Sequence, residues 1–194
     1  KSPISDHDIY LFKAGLHFRL YEKLGGQLQT VDGVPGVHFA VWAPNAQSVS
    51  VVGDFNGWDP QAHPLASRWD SSGIWEGFIM GLNEGSLYKY SILSKDNPDR
   101  MAKADPFAFY GEIPPQTASL VWGLDYQWHD SQWMKERHRH NQFNSPISIY
   151  EMHLGSWRRM VEEHYRFLSY QELAGYLVDY LKEMGFTHVE FMPI

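Results

Sequence analysis

Residues 49–58 read VSVVGDFNGW, an apolar strand that runs into a tight polar turn. Val49, Val51 and Val52 are typical of a β-strand, and the glycine, aspartate and asparagine residues after them are typical of a turn. The turn ends in Trp58, and two interpretations of this side chain stay open. It folds back to cap the core, since tryptophan is largely buried on average, or it offers a flat apolar face and a polar edge to a ligand such as a sugar ring.

Three further strands accompany this one. Alternating apolar residues, separated by turn residues and by no helical period, predict strands at 37–42, 74–79 and 87–93. Short strands at this spacing indicate an antiparallel, immunoglobulin-like β-sandwich.

The last of these strands carries a second candidate site residue. Side chains along a strand alternate between its two faces, so Tyr88 and Tyr90 share one face and Lys89 lies on the other. Lys89 is therefore either a polar partner for a ligand resting on Trp58 or a solvated strand residue.

The second half of the chain changes character. Asp130 is placed to cap a short helix through Trp133 and Met134. The run His138-Arg139-His140 does not suggest a metal site, because adjacent residues on a helix do not face one point and the chain has no cysteine. We expect no metal.

A strand, a helix and a second strand close the sequence. Residues 147–154 predict the first strand, and Ser169 with Glu172 forms a capping box that starts the helix. Gly185 ends the helix, and residues 186–194 predict the second strand. A crossover of this length joins parallel strands, so the segment is a βαβ unit.

Two parallel strands and one helix cannot cover their own faces and edges. We therefore expect this unit to begin a larger α/β domain, with the missing remainder of that domain as its partner. The predicted fold is multi-domain, a β-sandwich followed by an α/β segment. Its predicted parts are an N-terminal lead-in (1–29), the sandwich (30–120), a linker with a short helix (121–146) and the βαβ unit (147–194).

Three segments of the first half carry a family resemblance. The runs GVHFAVWAPNA at 36–46, VVGDFNGW at 51–58 and LYKY at 87–90 resemble the family 48 carbohydrate-binding module. That module precedes the catalytic barrel of glycogen branching enzymes, and related copies occur in the glycogen-binding subunit of an energy-sensing kinase. The resemblance implies that Trp58 and Lys89 bind α-1,4-glucan, as the matching residues of the kinase subunit do.

One departure from that pattern affects the expected pocket. A second tryptophan of the kinase subunit's sugar site would fall near Met101-Ala102, where this chain has none. The resemblance therefore implies a shallower contact site than the kinase pocket.

Two segments of the second half extend the resemblance. YEMHLGSW at 150–157 and GFTHVEFMPI at 185–194 resemble the first two strands of the (β/α)₈ barrel of glycogen branching enzymes, members of glycoside hydrolase family 13. The family implies a retaining transglycosylase that cleaves α-1,4-glucan and rejoins it through an α-1,6 bond, using two carboxylates. The family's catalytic residues belong to later strands, so we expect them beyond Ile194 and assign none here. The chain alone is expected to be inactive and to need no cofactor.

Four residues near the first barrel strand have supporting roles in this interpretation. Glu151 and His153 point the same way by strand period and are expected to support the active site from within the barrel, with direct substrate contact and solvent exposure as the alternatives. Trp157 and Arg158 follow the strand and either shape an acceptor groove or pack the loop.

Composition excludes several other classes of protein. A net charge of −7 without a lysine or arginine run argues against nucleic acid and against an anionic membrane. No apolar stretch reaches the roughly 18 residues that span a bilayer. The absence of cysteine fits a reducing cytoplasm. Because the chain begins with Lys1 instead of Met, we expect its true N-terminus to be missing or processed.

Two alternatives compete with a branching enzyme. One is a non-catalytic glucan-binding protein, against which the βαβ unit argues. The other is a sister barrel enzyme, such as an isoamylase-type debranching enzyme or a maltooligosyl-trehalose trehalohydrolase. The segment LYEKLGG at 20–26 and residues 150–157 resemble the branching enzymes more closely.

Overall fold

The structure is a computed structural model that describes residues 2–96 and 98–193. The chain divides into two compact units, a first unit of Lys1–Tyr126 and a second unit of Gln127–Ile194. Each unit is described by itself.

The first unit is a β-sandwich preceded by a helix, α1 (Asp6–Lys13). One sheet has the order β1-β2-β5-β4 and the other β3-β6-β9-β8, with β7 paired to β6. All of these pairs are antiparallel, so the predicted sandwich is confirmed. The strands are β1 (Gly25–Val31), β2 (Val34–Trp42), β3 (Ala46–Val52), β4 (Ala66–Ser67), β5 (Ile74–Met80), β6 (Leu87–Ser94), β7 (Met101–Lys103), β8 (Tyr110–Gly111) and β9 (Ser119–Leu120).

The main core lies between the two sheets. Phe39 of β2 meets Tyr88 of β6 edge to face, with ring centroids 4.9 Å apart, and both are buried. Val49 and Val51 of β3 are fully buried in the same cluster. The inward faces thus match the two-residue period of the sequence.

The N-terminal segment is part of this unit and not a lead-in to it. The predicted boundary between residues 29 and 30 is wrong, because it cuts through β1. Helix α1 packs Ile9 against Ala40 and Ile74, on the side of β2 and β5 that faces away from the main core. Strand β1, at the edge of its sheet, was not predicted, because glutamines and a single leucine give a weak apolar pattern. Its signal was Asp32-Gly33, whose positive φ angles of 51° and 82° make the hairpin turn to β2.

A cluster of charged groups lies near the same face. Arg68 pairs with Asp70 at 2.7 Å and with Glu76 at 2.5 Å, and its side chain is only 5% exposed. Glu76 also contacts His38 at 3.1 Å and accepts a hydrogen bond from Ser2 at 2.6 Å. Burial alone would raise the pKa of Glu76, but the hydrogen bonds from His38 and Ser2 and the charge of Arg68 lower it.

The second unit contains the predicted βαβ arrangement. Its elements are α2 (Ser131–His140), β10 (Ile149–Met152), α3 (Leu154–Trp157), β11 (Arg159–Met160), β12 (Arg166–Phe167), α4 (Tyr170–Met184) and β13 (His188–Phe191). Strands β10 and β13 are parallel, and α4 connects them. The capping box of Ser169 and Glu172 is present, and Gly185 ends α4 in the left-handed conformation, as predicted.

Several details of this unit differ from the sequence predictions. The strand predicted at 147–154 ends at Met152, because residues from Leu154 onward form the helical turn α3. The strand predicted at 186–194 is shorter, His188–Phe191, and Ile194 lies outside the described residues. The polar loop before α4 contains the short hairpin of β11 and β12.

The predicted short helix is present as α2, but the predicted capping by the Asp130 side chain is wrong. The side chain of Asp130 makes no capping hydrogen bond, since its backbone angles of −102° and 13° are not those of an extended N-cap residue. Its carbonyl instead accepts from the amide of Met134 at 2.9 Å. At the other end of α2, His140 stacks on Trp133 with ring centroids 5.6 Å apart.

Within residues 2–96 and 98–193, every helix is too short or too polar to cross a bilayer.

Candidate functional site

The turn that follows β3 is held by its own backbone and by one asparagine. The Asn56 side chain accepts a hydrogen bond from the Gly53 amide at 3.0 Å and donates to the Val51 carbonyl at 3.0 Å. It also contacts Nδ1 of His63 at 2.9 Å. The end of β3 is thus fixed relative to the loop that carries Trp58.

Gly53 is required where this turn meets β6. A Cβ atom built on Gly53 would lie 2.1 Å from the carbonyl oxygen of Leu87, closer than two such atoms can approach. The turn then reverses through Gly57 and Trp58, both left-handed, with φ angles of 61° and 60°. A bulky residue seldom adopts this conformation, and such strain persists only where the surrounding structure imposes it.

Trp58 is presented to solvent on this turn. Its side chain is 40% exposed, and its amide donates to the Gly53 carbonyl at 2.9 Å. The indole Nε1 donates to Asp54 Oδ1 at 2.8 Å, which fixes the plane of the ring. Of the two interpretations of Trp58, the structure favours the exposed aromatic face over the core cap.

Lys89 of β6 lies next to the Trp58 turn, at the end of β3. It pairs with Val52 across β3 and β6, one residue before the Trp58 turn begins at Gly53. Its neighbours Tyr88 and Tyr90 point into the core, so Lys89 lies on the outer face of the sheet, as predicted. Its ammonium group donates to Thr117 Oγ1 at 2.7 Å. The structure therefore brings Trp58 and Lys89 to the same end of this sheet.

A buried carboxyl group supports β6 from the core side. Asp105 Oδ2 accepts hydrogen bonds from Tyr88 at 2.6 Å and from Tyr90 at 3.2 Å. The Asp105 amide donates to Ser119 Oγ at 2.9 Å, which ties β6 to β9. Burial raises the pKa of Asp105, although the tyrosine hydroxyls and the Phe107 amide counteract it.

Neither Thr117 nor Asp105 was found from the sequence. Thr117 lies just before β9, which is only two residues long and too short for a periodic signal. The pair Asp105-Pro106 indicated a turn. The signal for a buried acceptor was the alternation that buries Tyr88 and Tyr90, because buried tyrosine hydroxyl groups need a hydrogen-bond partner.

In the second unit, Glu151 and His153 lie as predicted on the side of β10 away from α4. Met152, between them, is buried against the helix, while both of these residues are exposed. His153 Nδ1 contacts Ser156 Oγ at 2.9 Å. Glu151 is the register partner of Glu190 on β13, so two carboxylates lie side by side on one face of the sheet.

Trp157 and Arg158 pack within the second unit. The indole of Trp157 donates to the Tyr150 hydroxyl at 3.0 Å and meets the Tyr180 ring edge to face. The guanidinium of Arg158 lies 4.1 Å from the centre of the Tyr176 ring, a cation–π arrangement. These contacts favour the loop-packing alternative for both residues within this unit.

The sandwich matches a known family model. Residues 23–108 fit carbohydrate-binding module 48, the isoamylase N-terminal domain. This segment is therefore similar to the family 48 carbohydrate-binding modules. Trp58 and Lys89 both lie within the matched residues, and Thr117 follows them, just before β9.

The whole chain is similar to one part of a class of longer enzymes. It is 56% identical over 193 residues to the 1,4-alpha-glucan branching enzyme GlgB of Aquifex aeolicus, covering 100% of this chain and 30% of the relative. It is 53% identical to GlgB of Paramagnetospirillum magneticum, covering 98% of this chain and 26% of that relative. The chain thus spans less than a third of the length of these curated relatives.

Among solved structures, the fold is similar to a pullulanase. The maltotriose complex of the PulA-G680L mutant of Klebsiella pneumoniae matches with a TM-score of 0.64 and 25% identity. The match covers 88% of this chain and 20% of the pullulanase chain. The fold of this chain is therefore shared with part of that pullulanase chain.

Proposed function

We propose that this chain is the N-terminal portion of a 1,4-α-glucan branching enzyme and that Trp58 and Lys89 of its module bind α-1,4-glucan. The observation that carries the proposal is an exposed tryptophan on a turn fixed at the same sheet end as Lys89. The family match and the branching-enzyme relatives support the choice of ligand.

The contacts of the two side chains suggest how a glucan is held. Because Asp54 fixes the indole, the open face of Trp58 can stack on a sugar ring with little loss of side-chain entropy. Lys89 has three N–H donors, and the contact with Thr117 positions the amine near the sheet surface. Its other donors can bind glucose hydroxyls. The site is shallow and pre-organised, which suits a module that holds a polymer.

The second unit supports the enzyme part of the proposal. Its parallel strands and connecting helix have the form of the first βαβ unit of a (β/α)₈ barrel. Ile149, Val189 and Phe191 on these strands are all more than a third exposed, and further barrel strands and helices would cover them. In this proposal Glu151 and His153 support the barrel interior, and Trp157 and Arg158 pack the loop that follows β10.

The branching reaction itself requires residues outside this chain. A retaining mechanism places a nucleophile and an acid/base about 5 to 5.5 Å apart across the scissile bond. Glu151 and Glu190 are neighbours on one sheet face, and neither matches a catalytic motif of the family. We expect the 194-residue chain neither to branch nor to hydrolyse amylose. An iodine-stain change above a heat-killed control would contradict this.

The alternatives have weaker support. A debranching enzyme is suggested by the pullulanase likeness, but at 25% identity this is far below the 56% identity with a branching enzyme. A purely binding protein would have no use for the βαβ unit. We expect the parent enzyme to act in the cytoplasm, as the lack of cysteine in the sequence first suggested.

Affinity electrophoresis in glycogen gels tests the binding part. The wild-type chain should be retarded by glycogen and not by dextran, an α-1,6-linked glucan. Lys89→Ala should reduce the retardation, since it removes charged donors from the sheet face. Lys95→Ala is the matched control, because Lys95 is an exposed lysine just past the other end of β6. Equal retardation of the chain in glycogen and in dextran gels would overturn the proposal.

A further inference from the structure

A stacked pair of aromatic rings stands on the sheet that carries Lys89. The rings of Tyr110 and Trp122 lie 4.8 Å apart at an interplanar angle of 23°. Tyr110 is 49% exposed and Trp122 is 38% exposed. Each ring uses one face for its partner, so the pair is a pre-formed flat apolar surface in contact with water.

The strand register places this pair on the same face as Lys89. Leu87, Leu120 and Tyr110 form one row across β6, β9 and β8. Since Tyr88 points into the core, the row containing Leu87 faces outward, and Lys89 lies two residues further along β6 on that face. Trp122 lies two residues beyond Leu120, and its stacking on Tyr110 puts it on this side too.

A groove lies next to one residue of each place. It has a volume of about 400 Å³ and is lined by residues 104–105, 108–112 and 117–119. Thr117, the hydrogen-bond partner of Lys89, lies among these residues, and so does Tyr110. The carboxylate of Glu112 is held in the groove wall by the Ala118 amide at 2.7 Å. Strand spacings of about 4.8 Å put β8 roughly 14 Å from β3, a distance that only a chain of several sugars spans.

We propose that Tyr110 and Trp122 form a second sugar-stacking platform, so that one α-1,4-glucan chain lies across the sheet from the Trp58 turn, past Lys89 and Thr117, to this pair. The inference extends the proposed function and rests on it. Two platforms on one surface act on a single polymer, so the second contact gains from the high local concentration that the first creates. Affinity therefore rises with glucan length.

The occupant is an α-glucan because the pair continues a sheet face that already carries the module's candidate sugar site. Two other occupants are possible outcomes of the test: a second copy of this chain, and another segment of a longer protein. Either would cover the aromatic pair without any dependence on glucan length.

The test compares maltoheptaose with maltotriose on the 194-residue chain. Binding is followed by the indole N–H resonances of Trp58 and Trp122. We expect Trp122→Ala and Tyr110→Ala each to weaken maltoheptaose binding at Trp58 about fivefold, which is the effect of one lost aromatic contact. Maltotriose is too short to reach both platforms, so its affinity at Trp58 should not change.

The controls separate this inference from the proposed function. Trp69→Ala removes an 83% exposed tryptophan elsewhere in the same unit and should change neither affinity. Tyr110→Phe keeps the stack and should bind like the wild type. If Trp58→Ala weakens binding of both sugars while Trp122→Ala and Tyr110→Ala behave like Trp69→Ala, the inference is overturned and the proposed function stands.

The wild-type chain alone gives a second readout that does not depend on the folding of a variant. The Trp122 resonance should shift with maltoheptaose, and a Trp122 resonance that stays fixed at saturation would overturn the inference. Sedimentation in which Trp122→Ala dissolves a dimer, with unchanged maltoheptaose affinity, would assign the pair to a second copy instead.

Discussion

Both units expose large apolar side chains, but on different kinds of surface. In the first unit, Trp58 stands on a fixed turn at the end of a sheet whose other face is packed into a closed core. In the second unit, Ile149, Val189 and Phe191 lie on a two-stranded parallel sheet with a core of three buried residues. An exposed aromatic ring on a turn beside a closed core indicates a ligand, whereas exposed apolar residues along a two-stranded parallel sheet are of the kind that further strands or helices cover.

The largest expected effect is a difference in hydrogen exchange between the two units. Amides of β2, β3, β5 and β6 should exchange orders of magnitude more slowly than those of β10 and β13, because the latter pair lacks neighbouring strands. The measurement is exchange on the 194-residue chain, shown to be monomeric by sedimentation. Slow exchange in both β10 and β13 would mean that the second unit is a complete domain, and the comparison would fail.

The next effect concerns the backbone that holds the Trp58 turn. Gly53→Ala should destabilise the first unit by about 3 kcal/mol, because the added Cβ would collide with the Leu87 carbonyl and separate β3 from β6. Gly57→Ala is the matched control in the same turn. No atom lies within 4 Å of its Cβ position, so only the left-handed conformation costs energy, about 1 kcal/mol. Chemical unfolding measures both, and equal losses would show that the turn is not packed against β6.

A smaller effect is the pH dependence of the first unit's stability. The pKa values of Asp70 and Glu76 are lowered in the folded first unit, despite burial, by hydrogen bonds from Ser72 and His38 and by the charge of Arg68. A lowered folded-state pKa contributes stability above the ordinary values of 3.8 and 4.5, and this contribution is lost as the pH falls through the folded-state pKa. Glu76→Gln should therefore cost about 2 kcal/mol at pH 7, and this cost should shrink as the pH falls from 4.5 through the lowered folded-state pKa.

Unfolding of the first unit at several pH values measures this effect. The contribution of Asp105 to stability has the opposite pH dependence. Its pKa is raised by burial, so the contribution of its neutral form is lost as the pH rises. A Glu76→Gln cost that stays constant as the pH falls from 7 until the first unit unfolds in acid would contradict the assigned role of this carboxylate.

The sequence predicted the parts of the fold that have a clear period. The alternation in β2, β5 and β6 was sufficient for the sandwich, and the caps at Ser169 and Gly185 gave the helix α4. Helix α1 was missed, although Ser5 and Asp8 form a capping box that was present in the sequence.

The candidate site was only partly predictable. Trp58 and Lys89 could be selected individually, but their common position depends on the register of strands 35 residues apart in the sequence. Tyr110 lies in one two-residue strand, and Thr117 and Trp122 lie just before and just after another; strands this short carry no periodic signal. Such contacts become visible only when the sheet is assembled, because tertiary pairing and not local propensity creates them.

Trp58→Ala tests the central claim most directly, because the two interpretations of this residue predict opposite results. A ligand-facing tryptophan should lose about fivefold in glycogen affinity, roughly 1 kcal/mol, while the free energy of unfolding changes by less than about 0.5 kcal/mol. Trp69→Ala is the matched control and should change neither quantity. A variant that binds glycogen like the wild type but loses about 3 kcal/mol or more of stability, as a buried tryptophan does, would show that Trp58 belongs to the core and would contradict the account.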